Sequence, residues 1–363
     1  MRRITTFAVA MLLSIGTLLA QEPVKNIIFL IGDGMGLSSV SMMQLINNYE
    51  PTIFDQAENI ALQKTYSADN RVTDSAASGT ALASGVKTNN TMLGIRPDLS
   101  HAESLLELAQ SKEMATGVVV TTYLQHATPA AFYAHIDSRH KLAEISEQLL
   151  RSKLDVAIGG GMAFFEERYG DKEEAQKAIA EAGFAYVSSM EELESADNNT
   201  RTLAIVSDKE VGADSGTYLA EATTKALTML EAQSKGKGKR SKRGFVLMVE
   251  GSLIDSMGHG NNAEAQQKEM ESFMQAIEVA VEYARRHPDT LVVVTADHET
   301  GGLALISANA DFNLAEQGVE FKWSTGGHSG QMVPIYLYGA AAESINGIME
   351  NTELNAKLKA LIK

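Results

Sequence analysis

Cysteine is absent from this 363-residue chain. That excludes disulfides and lipid attachment through an N-terminal cysteine. It leaves export open, because a chain of this length buries an adequate core without covalent staples. Basic residues are in deficit: 31 Lys and Arg stand against 46 Asp and Glu, a formal net charge of −15. The balance argues against a nucleic-acid-binding surface. It does not argue against a phosphate substrate, because bound metal ions would set the local charge. No second long apolar run follows the first, in which Arg2 and Arg3 precede an apolar stretch from Phe7 to Leu19 with small residues before Gln21. The stretch has the form of a secretory signal and is too short to span a bilayer. The expectation is a signal peptide over 1–20, a single domain over 21–363, no membrane span after cleavage, and a periplasmic or secreted protein.

Familiar catalytic signatures are missing too. There is no G-x-S-x-G, which disfavours a nucleophile-elbow esterase. There is no G-x-x-x-x-G-K-[ST]; Gly85-Val86-Lys87-Thr88 has an intervening Val and lacks the leading Gly. His-Glu-x-x-His is absent. So is Ser-x-Pro-x-Arg, which with the lack of cysteine disfavours a sulfatase. Gly159-Gly160-Gly161 reads as a tight turn after a strand, too unspecific for nucleotide binding.

What is present is a set of six short apolar runs: 26–31, 117–122, 156–158, 203–206, 245–249 and 291–294. Continuous β-branched runs read as strands buried on both faces, hence as a parallel sheet. Helix-like stretches alternate with them: Ala102 to Lys112, Lys141 to Lys153, Glu173 to Ala182, Gly216 to Gln233 and Ala263 to Arg286. A final strand is expected at Val333 to Tyr338. The fold class is α/β, a doubly wound, mostly parallel sheet flanked by helices. Lys235 to Arg243 holds six basic residues among Gly and Ser, a solvated connection rather than a binding patch. Asn309 to Lys322 reads as an irregular surface excursion.

Four of the runs lead into residues that bind divalent metals. The first runs into Asp33, the second to His126 and Thr128, the fifth to Glu250 with Asp255 and His259 beyond, the sixth to Asp297 and His298. Ligands of open α/β sheets gather at the carboxyl ends of the strands, so these distant residues can converge. Asp255 and His259, at i and i+4, share a face if helical. Asp297 and His298 are adjacent and can share a metal only where the strand becomes irregular, which Glu299-Thr300-Gly301-Gly302 provides. His328 lies in a glycine-rich loop. Ser75, in Thr73-Asp74-Ser75-Ala76-Ala77-Ser78, falls at a helix start, where backbone N–H groups and the dipole favour an alkoxide.

In this order the motifs resemble those of the alkaline phosphatase family: Gly32-Asp33-Gly34-Met35-Gly36, Thr73 to Ser78, His126-Ala127-Thr128-Pro129, Glu250 to Asp255, Thr295 to Gly302, and Ser324 to His328. The resemblance covers essentially the whole chain after the signal and implies a broad-range phosphomonoesterase working through a phosphoserine. It implies two Zn²⁺ and one Mg²⁺ per chain. Ser75 would be the nucleophile. Asp255, His259 and His328 would hold the first zinc; Asp33, Asp297 and His298 the second. Asp33, Thr128 and Glu250 would hold Mg²⁺, and Arg139 would grip phosphate with its guanidinium fork. His126 stands where some bacterial members have Asp, beside the third metal and the phosphate, and opens that site to Zn²⁺ or Co²⁺. Ser256 stands where some have Lys. Phosphate monoesters are the implied partners, terminal phosphates of nucleic acids included, with a homodimer as the assembly. A Thr nucleophile and no equivalent of Arg139 would have favoured a phosphodiesterase.

Overall fold

The computed structural model of the chain describes residues 23–211, 216–235, 243–307 and 318–362. The expected signal peptide, the basic run over 236–242 and the polar stretch through 308–317 lie outside the described residues.

The strands are β1 (Asn26–Gly32), β2 (Asn59–Lys64), β3 (Ala115–Tyr123), β4 (Val156–Gly160), β5 (Ala185–Val187), β6 (Thr202–Ile205), β7 (Phe245–Gly251) and β8 (Thr290–Thr295). After them come β9 (Glu299–Thr300), β10 (Leu303–Ser307), β11 (Val319–Trp323), β12 (His328–Ser329), β13 (Val333–Gly339) and β14 (Gly347–Glu350). Ten of them form one sheet in the order β14-β2-β13-β8-β1-β7-β3-β4-β6-β5. Every pairing from β8 to β5 is parallel, and β13 runs antiparallel to both its neighbours. The six apolar runs are therefore six consecutive neighbours, β8-β1-β7-β3-β4-β6.

Their apolar continuity has a direct cause. Ile27, Phe29 and Ile31 pack into the core on one face, while Ile28 and Leu30 pack on the other. The same alternation holds for Val246 and Met248 against Leu247 and Val249. A strand sandwiched between two layers cannot present a polar side without burying it unpaired.

The first face carries α2 (Ser75–Ser84), α3 (Leu105–Ser111), α4 (Ala127–Ala130), α5 (Leu142–Arg151), α6 (Met162–Tyr169), α7 (Lys172–Glu181) and α12 (Asn351–Leu361). The second carries α1 (Leu37–Ile46), α8 (Met190–Ser195), α9 (Tyr218–Ser234), α10 (Leu253–His259) and α11 (Ala263–Arg286). The five expected helices correspond to α3, α5, α7, α9 and α11, the last with the expected ends.

Two readings are corrected. Gly159 and Gly160 continue β4 rather than turning. A Cβ on Gly159 would lie 2.7 Å from Val120 Cγ2, and one on Gly160 1.7 Å from the Lys209 carbonyl oxygen, so the glycines are there for close packing. The part of the 309–322 stretch that is described is not irregular: it forms most of β11, antiparallel to β10. Val319, Phe321 and Trp323 alternate with the more exposed Glu320 and Lys322, the period of a half-buried strand.

Candidate active site

The parallel strands β8, β1, β7 and β3 are neighbours, and their carboxyl ends deliver the candidate residues along one edge. Asp33 follows β1, Glu250 is the penultimate residue of β7, Asp297 and His298 follow β8, and Thr128 lies on α4 just beyond β3. Asp33, Glu250, Asp297, His298 and Thr128 are all fully buried. Gly34 turns the chain at φ +74°, and a Cβ there would lie 2.8 Å from Asp255 Cα. Only glycine meets both demands. Its N–H donates to Asp297 Oδ1 at 3.1 Å.

Regular strand ends at Thr295, which lets both Asp297 and His298 reach inward. Gly301 and Gly302 take positive φ, and the Trp323 ring covers Gly301 so closely that a Cβ would come within 2.3 Å of it. His328, expected in a flexible loop, is instead pinned in β12 opposite Thr300 of β9.

Three ligand groups result. In the first, Asp255 and His259 share one face of α10, and His328 reaches them from β12. His259 Nδ1 lies 2.7 Å from the Gly326 carbonyl oxygen, and His328 Nδ1 lies 2.8 Å from that of Thr73. Each ring must donate there, since a carbonyl only accepts. Their Nε2 lone pairs then face each other at 3.2 Å, with Asp255 oxygens at 3.3 and 3.5 Å. A positive charge belongs between them: the Asp255 hydrogen bond raises the His259 imidazole to about 9, so a proton can serve there, and a divalent ion would meet all three ligands at once.

The second group is Asp33, Asp255 and His298. The Thr300 hydroxyl donates to Asp255 Oδ1 and lies 3.2 Å from His298 Nδ1. That leaves His298 Nε2 with Ser75 Oγ at 3.2 Å, Asp297 Oδ2 at 3.2 Å and Asp33 Oδ1 at 3.4 Å. The third group is Asp33, His126 and Glu250, with Thr128 Oγ1 at 3.5 Å from Asp33 Oδ2. Asp33 belongs to both.

Ser75 opens α2, and Asp74 caps it by accepting the Ala77 N–H at 2.9 Å. The other Asp74 oxygen accepts the Thr91 N–H at 3.0 Å and pairs with Arg139 at 3.3 Å. Arg139 also donates to His126 Nε2 at 3.1 Å. One aspartate thus ties the Ser75 helix to the Arg139 guanidinium.

The charges do not balance within the protein alone. Burial, followed by the charges of Asp297, Asp255 and Glu250, drives the Asp33 carboxyl far above its usual range. Burial, then Asp255, pushes Asp297 to about 8, and burial pushes Glu250 to about 7. His298 is forced neutral by burial and then by His328. Asp33 Oδ1, Asp297 Oδ2, Glu250 Oε1 and His126 Nδ1 are buried with no hydrogen-bond partner. Clustered carboxylates with orphaned lone pairs fit divalent cations, which would invert these shifts. The His-and-carboxylate groups suit zinc; Asp33, Glu250 and Thr128 offer the oxygens magnesium prefers.

The family model for alkaline phosphatase matches residues 24–316. The chain belongs to the alkaline phosphatase family. It shares 32% identity with alkaline phosphatase 3 of Bacillus subtilis, over 92% of this chain and 88% of that one. With the alkaline phosphatase of Escherichia coli K12 it shares 30%, over 95% and 87%. The alkaline phosphatase of the Antarctic bacterium TAB5 superposes with a TM-score of 0.85 at 33% identity, covering 94% of this chain and 98% of that one. A histidine-to-aspartate mutant of the TAB5 enzyme holds Mg in its M3 site.

This alkaline phosphatase is accordingly a metal-binding phosphomonoesterase. All eleven residues singled out in the sequence lie in or beside the three groups. Sequence reasoning missed the residues that orient them: Thr300, which holds Asp255 and His298, and Ser252, whose hydroxyl donates to Glu250 at 2.5 Å. It also missed the Thr73 and Gly326 carbonyls, since a backbone acceptor leaves no trace in residue identity. Asp74 was visible only as part of the motif at the helix start, not as the cap of α2 or the partner of Arg139.

Proposed function

We propose that this enzyme is an exported phosphomonoesterase of broad substrate range that works through a phosphoserine at Ser75. A single catalytic domain over 21–363, following a signal peptide over 1–20, acts in the periplasm or outside the cell, as a homodimer. The observation that carries the reading is Ser75 Oγ, held at the start of α2 and 3.2 Å from His298 Nε2 inside the ligand cluster.

Asp255, His259 and His328 would hold one zinc, and Asp33, Asp297 and His298 another. Asp33, Thr128 and Glu250 would hold magnesium, with zinc or cobalt as alternatives where His126 contributes. Bound there, the ions would withdraw charge from the phosphoryl group and from the attacking and leaving oxygens. Arg139 would donate two N–H groups to nonbridging phosphoryl oxygens and fix the ester. Ser75 Oγ would then bond to phosphorus as the ester bond breaks and the alcohol departs. Water would open the phosphoserine in a second displacement, releasing inorganic phosphate and restoring the hydroxyl. The N-terminus of α2 favours negative charge on Ser75 Oγ throughout.

Breadth follows from what the donors can reach. Each of these residues serves a metal or the phosphoryl group, and none is assigned to a leaving group. The test is Ser75→Ala with metal content measured in parallel, on chromogenic monoesters with different alcohols. Turnover should fall at least about a thousandfold for every ester while metal content stays unchanged. Near-normal turnover would overturn the assignment and point to Ser78 or to direct attack by water.

A further inference from the structure

A fourth group of metal-type ligands lies apart from the active-site cluster and shares no residue with it. It consists of His101, Glu107 and His135, whose candidate ligand atoms all lie within 4.8 Å of one another. Glu107 sits in the first turn of α3, with Oε2 accepting the Ser104 N–H at 2.8 Å. Its other oxygen, Oε1, lies 3.0 Å from His135 Nε2 and 3.3 Å from His101 Nε2. His135 Nδ1 lies 2.6 Å from the Gly94 carbonyl oxygen and must donate to it. Its Nε2 lone pair therefore faces a carboxylate oxygen that is itself only an acceptor.

Something positive belongs between those atoms. A proton on His135 would serve one contact, and the Glu107 hydrogen bond does raise that imidazole above its usual range against the effect of burial. His101 then needs the tautomer that carries its proton on Nε2 and gives it to the same Glu107 oxygen, 3.3 Å away. Protonating both rings would set two cations face to face, with centroids 3.8 Å apart. One divalent ion meets all three groups. Zinc bonds of ~2.0–2.1 Å in a tetrahedron place neighbouring ligand atoms ~3.3 Å apart, close to the two spacings found.

The scaffold is also prepared. Isolated bridges pair Ile95 with His101 and Leu93 with Ile136, fixing the two histidine segments. Gly94, between them at φ +61°, allows its neighbour to approach: a Cβ there would lie 2.1 Å from the Ala134 carbonyl oxygen. The His135–Gly94 hydrogen bond is the orienting contact that metal-bound imidazoles ordinarily make. The His101 side chain is 56% exposed, so an ion can enter and keep a water as fourth ligand.

We propose that His101, Glu107 and His135 form a further zinc site, independent of the catalytic cluster and on the surface of this chain, clamping the 94–101 loop to α3 and to the segment that leads to Arg139. Two imidazoles and one carboxylate select a borderline transition ion over magnesium or calcium. The site stands whether or not the catalytic assignments hold.

The test compares the holoenzyme, catalytic metals in place, with its His101→Ala variant. His101 is exposed, and its loss leaves the Glu107–His135 pair and the fold intact. Equilibrium dialysis against buffered zinc should show about one more zinc per chain in the parent, with affinity at this site falling at least tenfold in the variant. Zinc added beyond the catalytic complement should raise the melting temperature of the parent but not of the variant. Magnesium should raise neither. Equal zinc content and equal thermal shifts in the two proteins would overturn the proposal and leave a protonated His135–Glu107 pair.

Discussion

His126 faces an either-or at the scale of one ring. Arg139 donates to its Nε2, and Nδ1 is buried without a partner. If the ring binds a metal through Nε2, Arg139 must let go. If it binds through Nδ1, the proton moves to Nε2, and Arg139, which can only donate, again loses its acceptor. Metal binding through His126 would therefore free Arg139 for the phosphate it is proposed to grip. Burial and the Arg139 charge keep the ring neutral, with a pKa of about 3, so no proton competes for it near neutrality. The histidine supplies no negative charge. His126→Asp should lower the magnesium concentration for half-activation about tenfold or more. Adding Ser256→Lys, on the exposed residue next to Asp255, should strengthen inhibition by product phosphate. Magnesium titrations and phosphate inhibition constants of the parent and double variant decide this; unchanged values in both would show that neither position tunes the site.

The helix α2 and the strand ends convert chain geometry into chemistry, and Asp74 is where that conversion can be separated from stability. Asp74→Ala removes the cap on α2 and the pairing with Arg139 together. Stability should fall by about 1–2 kcal/mol in urea denaturation and KM should rise. Asp74→Asn retains a capping oxygen, so it should recover most of the stability but not KM; if it restores both, the Arg139 pairing has no role. Elements of this kind were legible to different degrees. Strands β1, β7 and β8 announced themselves because burial on both faces forces an apolar run. Strand β2, between β13 and β14, has Ile60 exposed and Gln63 buried, where Gln63 donates to Thr295 and the Ala296 carbonyl. Its sequence Asn-Ile-Ala-Leu-Gln-Lys shows no such run. The glycines of β4 misled because a residue chosen for close packing looks the same as one chosen for a turn. His328 looked mobile because the contact that pins it, with Thr300, is 28 residues away.

Over the whole molecule, the site exists only when four neighbouring strands are assembled, so ions held there would bind the native state and not the unfolded chain. Chelation should abolish activity and lower the melting temperature. A site held at a thousandfold excess over its Kd contributes ~4 kcal/mol, and losing it should cost several degrees. Adding zinc and magnesium back should restore both; a chelated protein with the melting temperature of the parent would show that the ligand cluster does not couple metal to folding. The candidate ligand residues were legible because strand ends mark them. The His101–Glu107–His135 group was not, since its members sit on a loop, a helix start and an irregular segment with no shared period. Trp323, against Gly301, is the chain's single tryptophan. Its indole lies against Gly301, directly after Asp297, His298 and Thr300 in the chain, so the tryptophan emission of this enzyme has one source, placed beside the stretch that bound metal would organise. Filling and emptying of the catalytic centre can therefore be followed by intrinsic fluorescence, with no label and no substrate.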